Sequence, residues 1–375
     1  MLVRLRLIGA LLVALAVLAG CVAAPVKEQA SAKKEPIFYP RPPDPPRIQH
    51  LATFASASDV EPPESEGALK SFLLGDEKSE FALSRPYGVS MFDGKIYVAD
   101  SRAPGLAIFD LKARKFSVIS GAGSGRMQRP INVTIDTDGT KYVTDSGRNQ
   151  ILVFSRSDTF ITAYGEKDGF KPIDSAIVGD RLYVVDIGHH VVKVLDKRTG
   201  KLQFKFGRGG GAGAPELHQP TNLAIGLDGD VYVVETGNFR VSRFTPEGKF
   251  VRHYGEAGQA PGQFARPKGI AIDRAGRIYV GDAAFQNVQM FDKDWRLLMA
   301  FGQPDSSPGL NLPAGIAIDY DNVALFRDRA DPKFNLEHLI LVVSQFGPNQ
   351  VDVFGFGTMQ GVEYPADGQL IFKPR

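Results

Sequence analysis

FARPKGIAIDRAGRIYVGDAAFQNVQMFD, residues 264–292, sets three short β-prone runs one after another. Pro267 opens the first, Gly269-Ile270-Ala271-Ile272-Asp273. The second is Ile278-Tyr279-Val280-Gly281-Asp282, and the third is Val288-Gln289-Met290-Phe291-Asp292. Each run is rich in Ile, Val, Tyr and Phe and is bounded by Gly, Asp or Asn, the signature of strands joined by tight turns.

The pattern recurs along the chain. Its prolines are Pro86, Pro130, Pro172, Pro220, Pro267 and Pro313, at intervals of 44, 42, 48, 47 and 46 residues. The second strand repeats as IYVAD (96–100), KYVTD (141–145), LYVVD (182–186), VYVVE (231–235) and IYVGD (278–282). A fourth run ends in an aromatic residue and glycine: Tyr164-Gly165, Phe206-Gly207, Tyr254-Gly255 and Phe301-Gly302. A period in the forties with four strands per unit marks a propeller, in which stacking each sheet on the next buries faces that one sheet would leave wet. Six units predict an all-β, six-bladed β-propeller. Unit three departs at its first strand, Asp174 to Val178, and unit six at its second, Leu341 to Ser344. Two N-terminal runs could close the ring, Leu51-Ala52-Thr53-Phe54 or Phe72-Leu73-Leu74-Gly75.

These motifs, over roughly residues 83 to 355, resemble NHL repeats. WD repeats share the period but rest on Trp-Asp pairs, and Trp295 is the only tryptophan. The resemblance implies the fold and is nearly silent on function, because one fold carries many chemistries.

At the N-terminus, MLVRLRLIGALLVALAVLAGC (1–21) sets Arg4 and Arg6 before an apolar run that ends in Leu18-Ala19-Gly20-Cys21. The run is short for a membrane span and suits a signal peptide. Its end resembles the lipobox of bacterial lipoproteins, and Cys21 is the one cysteine of the chain. The resemblance implies removal of residues 1–20 and lipidation of Cys21. With Val22 next, it implies an anchor in the outer membrane of the bacterial envelope. Residues 21–46 carry seven prolines and read as a polyproline-rich linker, followed by the propeller body from 47 to 375.

With 44 Lys+Arg against 42 Asp+Glu in the whole chain, the body is close to neutral, which argues against nucleic acid as partner. One cysteine excludes an internal disulfide and a thiolate cluster. No G-x-S-x-G elbow starts a hydrolase triad. Gly207-Arg208-Gly209-Gly210-Gly211-Ala212 leads to the next blade and to no phosphate-binding helix.

The acids Asp100, Asp145, Asp186, Glu235 and Asp282 each end a second strand, where a carboxylate can hold the following turn. The sharper alternative is a carboxylate ring around calcium. Some propellers that resemble this chain, the amidating lyases, set zinc histidines directly after the blade proline. Here those places hold Tyr87, Ile131, Ile173, Thr221, Lys268 and Ala314. No metal site and no cofactor is therefore expected.

A basic column precedes the blade prolines: Arg85, Arg129, Lys171 and Arg266. Loops between second and third strands fall on the same face and carry Arg102, Arg148, His190, Asn238, Arg240, Phe285 and Asn287. Together they suggest a ligand or partner site at the channel mouth; the alternative is a solvated rim. An insertion, Tyr320 to His338, suggests a partner contact or simply a longer loop. The sequence thus points to a membrane-anchored binding or scaffolding module with a protein partner in the envelope, not an enzyme. A calcium- or zinc-dependent lyase or lactonase is the alternative.

Overall fold

The structure, a computed structural model, describes residues 35–61, 81–165, 169–306 and 308–364. Contacts divide the chain into two units, Met1–Glu35 and Pro36–Arg375, and the propeller is the second. The signal peptide, Cys21 and the Phe72–Gly75 run lie outside the described residues.

Six antiparallel sheets form the blades. Five are simple four-stranded meanders, with inner strands Pro86–Phe92, Pro130–Ile135, Pro172–Val178, Pro220–Ile225 and Pro267–Ile272. The sixth begins at Pro313–Asp319, continues through Phe334–Ser344 and Val351–Met359, and ends on an N-terminal strand, Ile48–Phe54. Inner strands pack in sequence around the channel, and that of blade six returns to that of blade one. Six hydrophobic clusters fill the six seams between blades.

Ring closure therefore uses the Leu51–Phe54 candidate. Phe54 pairs with Val351 and is fully buried, its ring 5.5 Å from that of Phe109 in blade one. The ordered body also begins before residue 47: Phe38–Tyr39, inside the stretch expected to be linker, pairs with Ile48–Gln49 as a fifth strand. The insertion in blade six turns inward. Its short helix Val323–Arg329 buries Phe326, and Phe334 is buried at the start of the next strand. This corrects the partner-contact expectation for those aromatic side chains, which serve the core.

The inner strands share one irregularity. In every blade the pairing register slips immediately after the proline, between Pro86 and Gly88, Pro130 and Asn132, Pro172 and Asp174, Pro220 and Asn222, Pro267 and Ile270, and Pro313 and Ile316. Proline lacks an N–H and suits the first position of a strand. The extra residue bulges out of the ladder, which re-aims its side chain. Tyr87, Ile131, Ile173 and Lys268 are such residues, and all four line the channel mouth.

Candidate functional site

Below the bulges, a second layer rings the channel: Gly88, Asn132, Asp174, Asn222, Gly269 and Gly315. Its glycine half is dictated by close approach. A Cβ at Gly269 would run into the carbonyl oxygen of Ala314, and one at Gly315 would lie 2.5 Å from that of Tyr87. The other half is polar and buried. Asp174 accepts from the Leu223 amide at 2.9 Å, the Ser175 amide at 2.8 Å, the Asn222 side chain at 3.1 Å and the Asn132 side chain. Burial outweighs these bonds and pushes its carboxyl up to about 6.

Above this layer opens a cavity of about 670 Å³. Arg85, Arg102, Arg129, Lys171, Arg266 and Lys268 line it, and among the described residues no Asp or Glu does. Tyr87, Ile131 and Ile173 give it an apolar floor.

Like charges repel, so this concentration needs a cause. It lies in the acids that end the second strands. Asp100 accepts the backbone amide of Arg85 at 3.1 Å, Asp145 that of Arg129 at 3.0 Å, Asp186 that of Lys171 at 3.1 Å and Asp282 that of Arg266 at 3.1 Å. The same carboxylates accept amides from the following turn, as Asp282 does from Ala284 and Phe285. Each acid thus pins the loop that carries a cation while its own oxygens stay occupied, by backbone amides alone in Asp100, Asp145 and Asp282 and by amides with the His189 and Lys193 side chains in Asp186. In blade four, where the cation is replaced by Gln219, Glu235 takes the His218 amide. In blade six Ser344 stands in for the acid and accepts the Asn311 amide.

Lys268 has the least ordinary setting. Its ammonium lies 5.1 Å from the ring centre of Tyr87, and among the described residues no carboxylate pairs with it. Partial burial, with Arg266 and Arg85 adding repulsion, brings its amine down to about 8. Among the described residues the Tyr87 hydroxyl has no hydrogen-bond partner, and burial raises its pKa, so it stays a phenol.

Of the residues expected at this face, Arg85, Arg102, Arg129 and Arg266 converge on the cavity. Arg148 does not: its guanidinium donates to the carbonyls of Ser124 and Arg126 and staples the loop before blade two. Arg240 is buried against Glu235 and donates to Ala212 and Glu216, while Asn238 donates to Gly211. His190 accepts the Gln219 amide and stacks on His218. Asn238 and Arg240 hold the glycine-rich loop, His190 holds the segment that follows it, and none of the three forms part of the cavity wall. Phe285 and Asn287 are likewise absent from that wall. Tyr87, Lys171 and Lys268 join the four arginines there. The signal for Tyr87 and Lys268 was their place directly after a blade proline.

A calcium or zinc ion does not fit these donors. Among the described residues no three His, Cys, Asp or Glu side chains gather to hold a metal. Asp174 is the one carboxylate of its layer, both its oxygens are taken by N–H donors, and the facing half is glycine. Calcium prefers six or more oxygen ligands.

No protein-family model matches the chain. Solved structures share its six-bladed fold. A gluconolactonase from Xanthomonas campestris aligns with a TM-score of 0.56 at 16% identity, over 86% of this chain and 97% of its own. A streptogramin B lyase aligns with a TM-score of 0.52 at 16% identity, over 75% and 84%. Regucalcin from Agrobacterium tumefaciens, a calcium-binding protein, aligns with a TM-score of 0.53 at 12% identity, over 74% and 92%. Two of these neighbours are enzymes, which overturns the expectation that this chain is not one. That expectation rested on the lack of a catalytic constellation in the sequence, neither a nucleophile elbow nor a set of metal ligands. In a propeller, functional residues arrive singly from loops of different blades, so no contiguous motif need exist.

Proposed function

We propose that the protein takes a small anionic molecule, of the carboxylate or phosphate class, into the channel mouth and acts on it as a lyase or lactonase. The single observation that carries this reading is the cavity wall of six cations, with no acid among the described residues that line it. Arginine forks match carboxylate and phosphate geometry, and a recessed, partly apolar setting strengthens such contacts. The neighbours of the same fold that are a lactonase and a lyase supply the reaction class. Dependence on calcium or zinc is left out, because the donor set does not suit either ion. The test is turnover of aldonolactones and other anionic lactones by the full chain in detergent. Hydrolysis above the uncatalysed rate that is lost in Arg266→Glu supports the reading. Turnover equal in both proteins, or absent for every anionic substrate, opposes it.

We propose further that this NHL-type body is held at the bacterial envelope, on the outer membrane, through lipidated Cys21, within reach of a protein partner. The Leu18-Ala19-Gly20-Cys21 stretch supports the anchor. Cys21→Ser should release the protein from the membrane fraction; an unchanged fraction opposes the anchor.

A further inference from the structure

We propose that Lys268 is the reacting amine of the channel mouth and that it condenses with the carbonyl group of a small oxo acid held by Arg85, Arg129 and Arg266. The inference rests on the anionic-substrate reading above and names the substrate class more closely.

Three observations carry it. First, Lys268 is a bulge residue. The register slip after Pro267 takes it out of the ladder with Asp282 and turns it into the cavity. The equivalent bulge residues bring apolar or hydroxyl groups, Ile131, Ile173, Thr221 and Ala314, so one nitrogen stands over an otherwise unreactive floor. Second, its ammonium faces the ring of Tyr87 and is crowded by two arginines, with no carboxylate of the described residues paired to it. A lysine in a partly desolvated site beside other cations loses its proton more readily and becomes a nucleophile near neutral pH. Third, the carboxylates that would re-protonate or neutralise it are spent elsewhere. Asp282, paired with Pro267 across the ladder, accepts the amides of Ala265, Arg266, Ala284 and Phe285.

The chemistry balances without a further reactant. The neutral amine adds its lone pair to the carbonyl carbon, and the carbonyl π pair moves onto oxygen. That oxygen takes a proton from the nitrogen, giving a carbinolamine. One further proton, drawn from solvent in the open cavity, lets the oxygen leave as water while the nitrogen pair forms the C=N bond. Amine, carbonyl and one proton become a protonated imine and water. The carboxylate of the same molecule is the group that the arginines hold.

The experiment uses the full chain in detergent with glyoxylate as the probe. Sodium cyanoborohydride traps any imine as a stable secondary amine, and peptide mass spectrometry then assigns the labelled lysines. The expected result is that Lys268 is labelled at least tenfold faster than exposed lysines such as Lys112 and Lys293, that oxalate slows its labelling, and that Lys268→Arg abolishes this adduct. The wild-type map stands even if the variant fails to fold. Equal labelling of Lys268 and surface lysines, or an unlabelled Lys268, overturns the proposal. If oxalate still raises the melting temperature in that case, the anion site survives and only the amine role falls. If oxalate neither binds nor protects, both readings fall.

Discussion

The Lys268 ammonium reaches from blade five to within 5.1 Å of the Tyr87 ring centre in blade one, past blade six, where Ala314 follows the blade proline. Both partners occupy the bulge that follows a blade proline, so a backbone irregularity shared by all six blades brings an amine and a phenol together at the channel mouth. The pairing is electrostatically tense. A cation over an aromatic face gains about 0.5–2 kcal/mol, while the flanking Arg85 and Arg266 oppose the charge.

Lys268 should therefore make stability rise with alkalinity. Its folded pKa of about 8 lies below the ordinary lysine value. Between the two, the unfolded chain binds a proton that the folded one has released, so unfolding free energy increases as pH rises through this window. The whole gain is on the order of 3 kcal/mol at most, from about 2.5 units at 1.36 kcal/mol each. Urea titrations from pH 7.5 to 10 should show the rise in the wild type and a flatter profile in Lys268→Met. Parallel profiles would remove the depressed amine from the account.

Asp174 should act in the opposite sense. Its folded carboxyl, at about 6, lies above the ordinary aspartate value. Between these values the folded state holds the extra proton, so stability falls as pH rises from about 4 to about 6. Asp174→Asn should erase that fall, whatever its own net stability, because the amide does not titrate. The comparison is of slopes in chemical denaturation across pH 4–6.5, and an unchanged slope in the variant contradicts the assignment.

Asp282 is predicted to matter twice. Removing its carboxylate in Asp282→Ala strips acceptors from four backbone amides and should cost about 2–4 kcal/mol, on the scale of a broken buried network. It also frees the loop that holds Arg266, so anion affinity should fall together with stability. Asp282→Asn keeps one acceptor oxygen and should recover part of both. Calorimetric binding beside denaturant melts checks the pair; loss of stability with unchanged anion affinity would separate the acid from the site.

Ring closure gives a sharper stability test. Phe54 is fully buried at the end of the closing strand, against Phe109. Phe54→Ala should cost about 3–5 kcal/mol, and deletion of Ile48–Phe54 should abolish cooperative unfolding. A cooperative transition that survives this deletion would mean that another segment closes the ring.

The blades were legible because their signal is redundant. Proline, a Tyr-Val-x-Asp strand and an aromatic-glycine end recur at a steady interval, so even blade three, with Asp174 in its first strand, and blade six, with Ser344 where an acid is usual, fall into place. The site was half legible. Arg85, Arg129 and Arg266 could be found because the position before the blade proline faces the mouth in four of the six blades. Arg148, Asn238 and Arg240 sit in equivalent loops, yet each is drawn down by local carbonyls or by Glu235, and composition alone does not distinguish a free guanidinium from a loop staple. Lys268 and Tyr87 were visible as occupants of the position after the proline. What the sequence could not display is the bulge that aims them, or the distance across blade six that lets them meet.

The most direct test of the cationic mouth is isothermal titration of malonate into the full chain in detergent, repeated at increasing salt and with the Arg129→Glu/Arg266→Glu double variant. One site per chain is predicted, weakening as ionic strength rises, with affinity at least tenfold lower in the double variant. Binding of equal strength in the folded double variant, or no binding by the wild type at low salt to malonate, phosphate or citrate, would contradict the account.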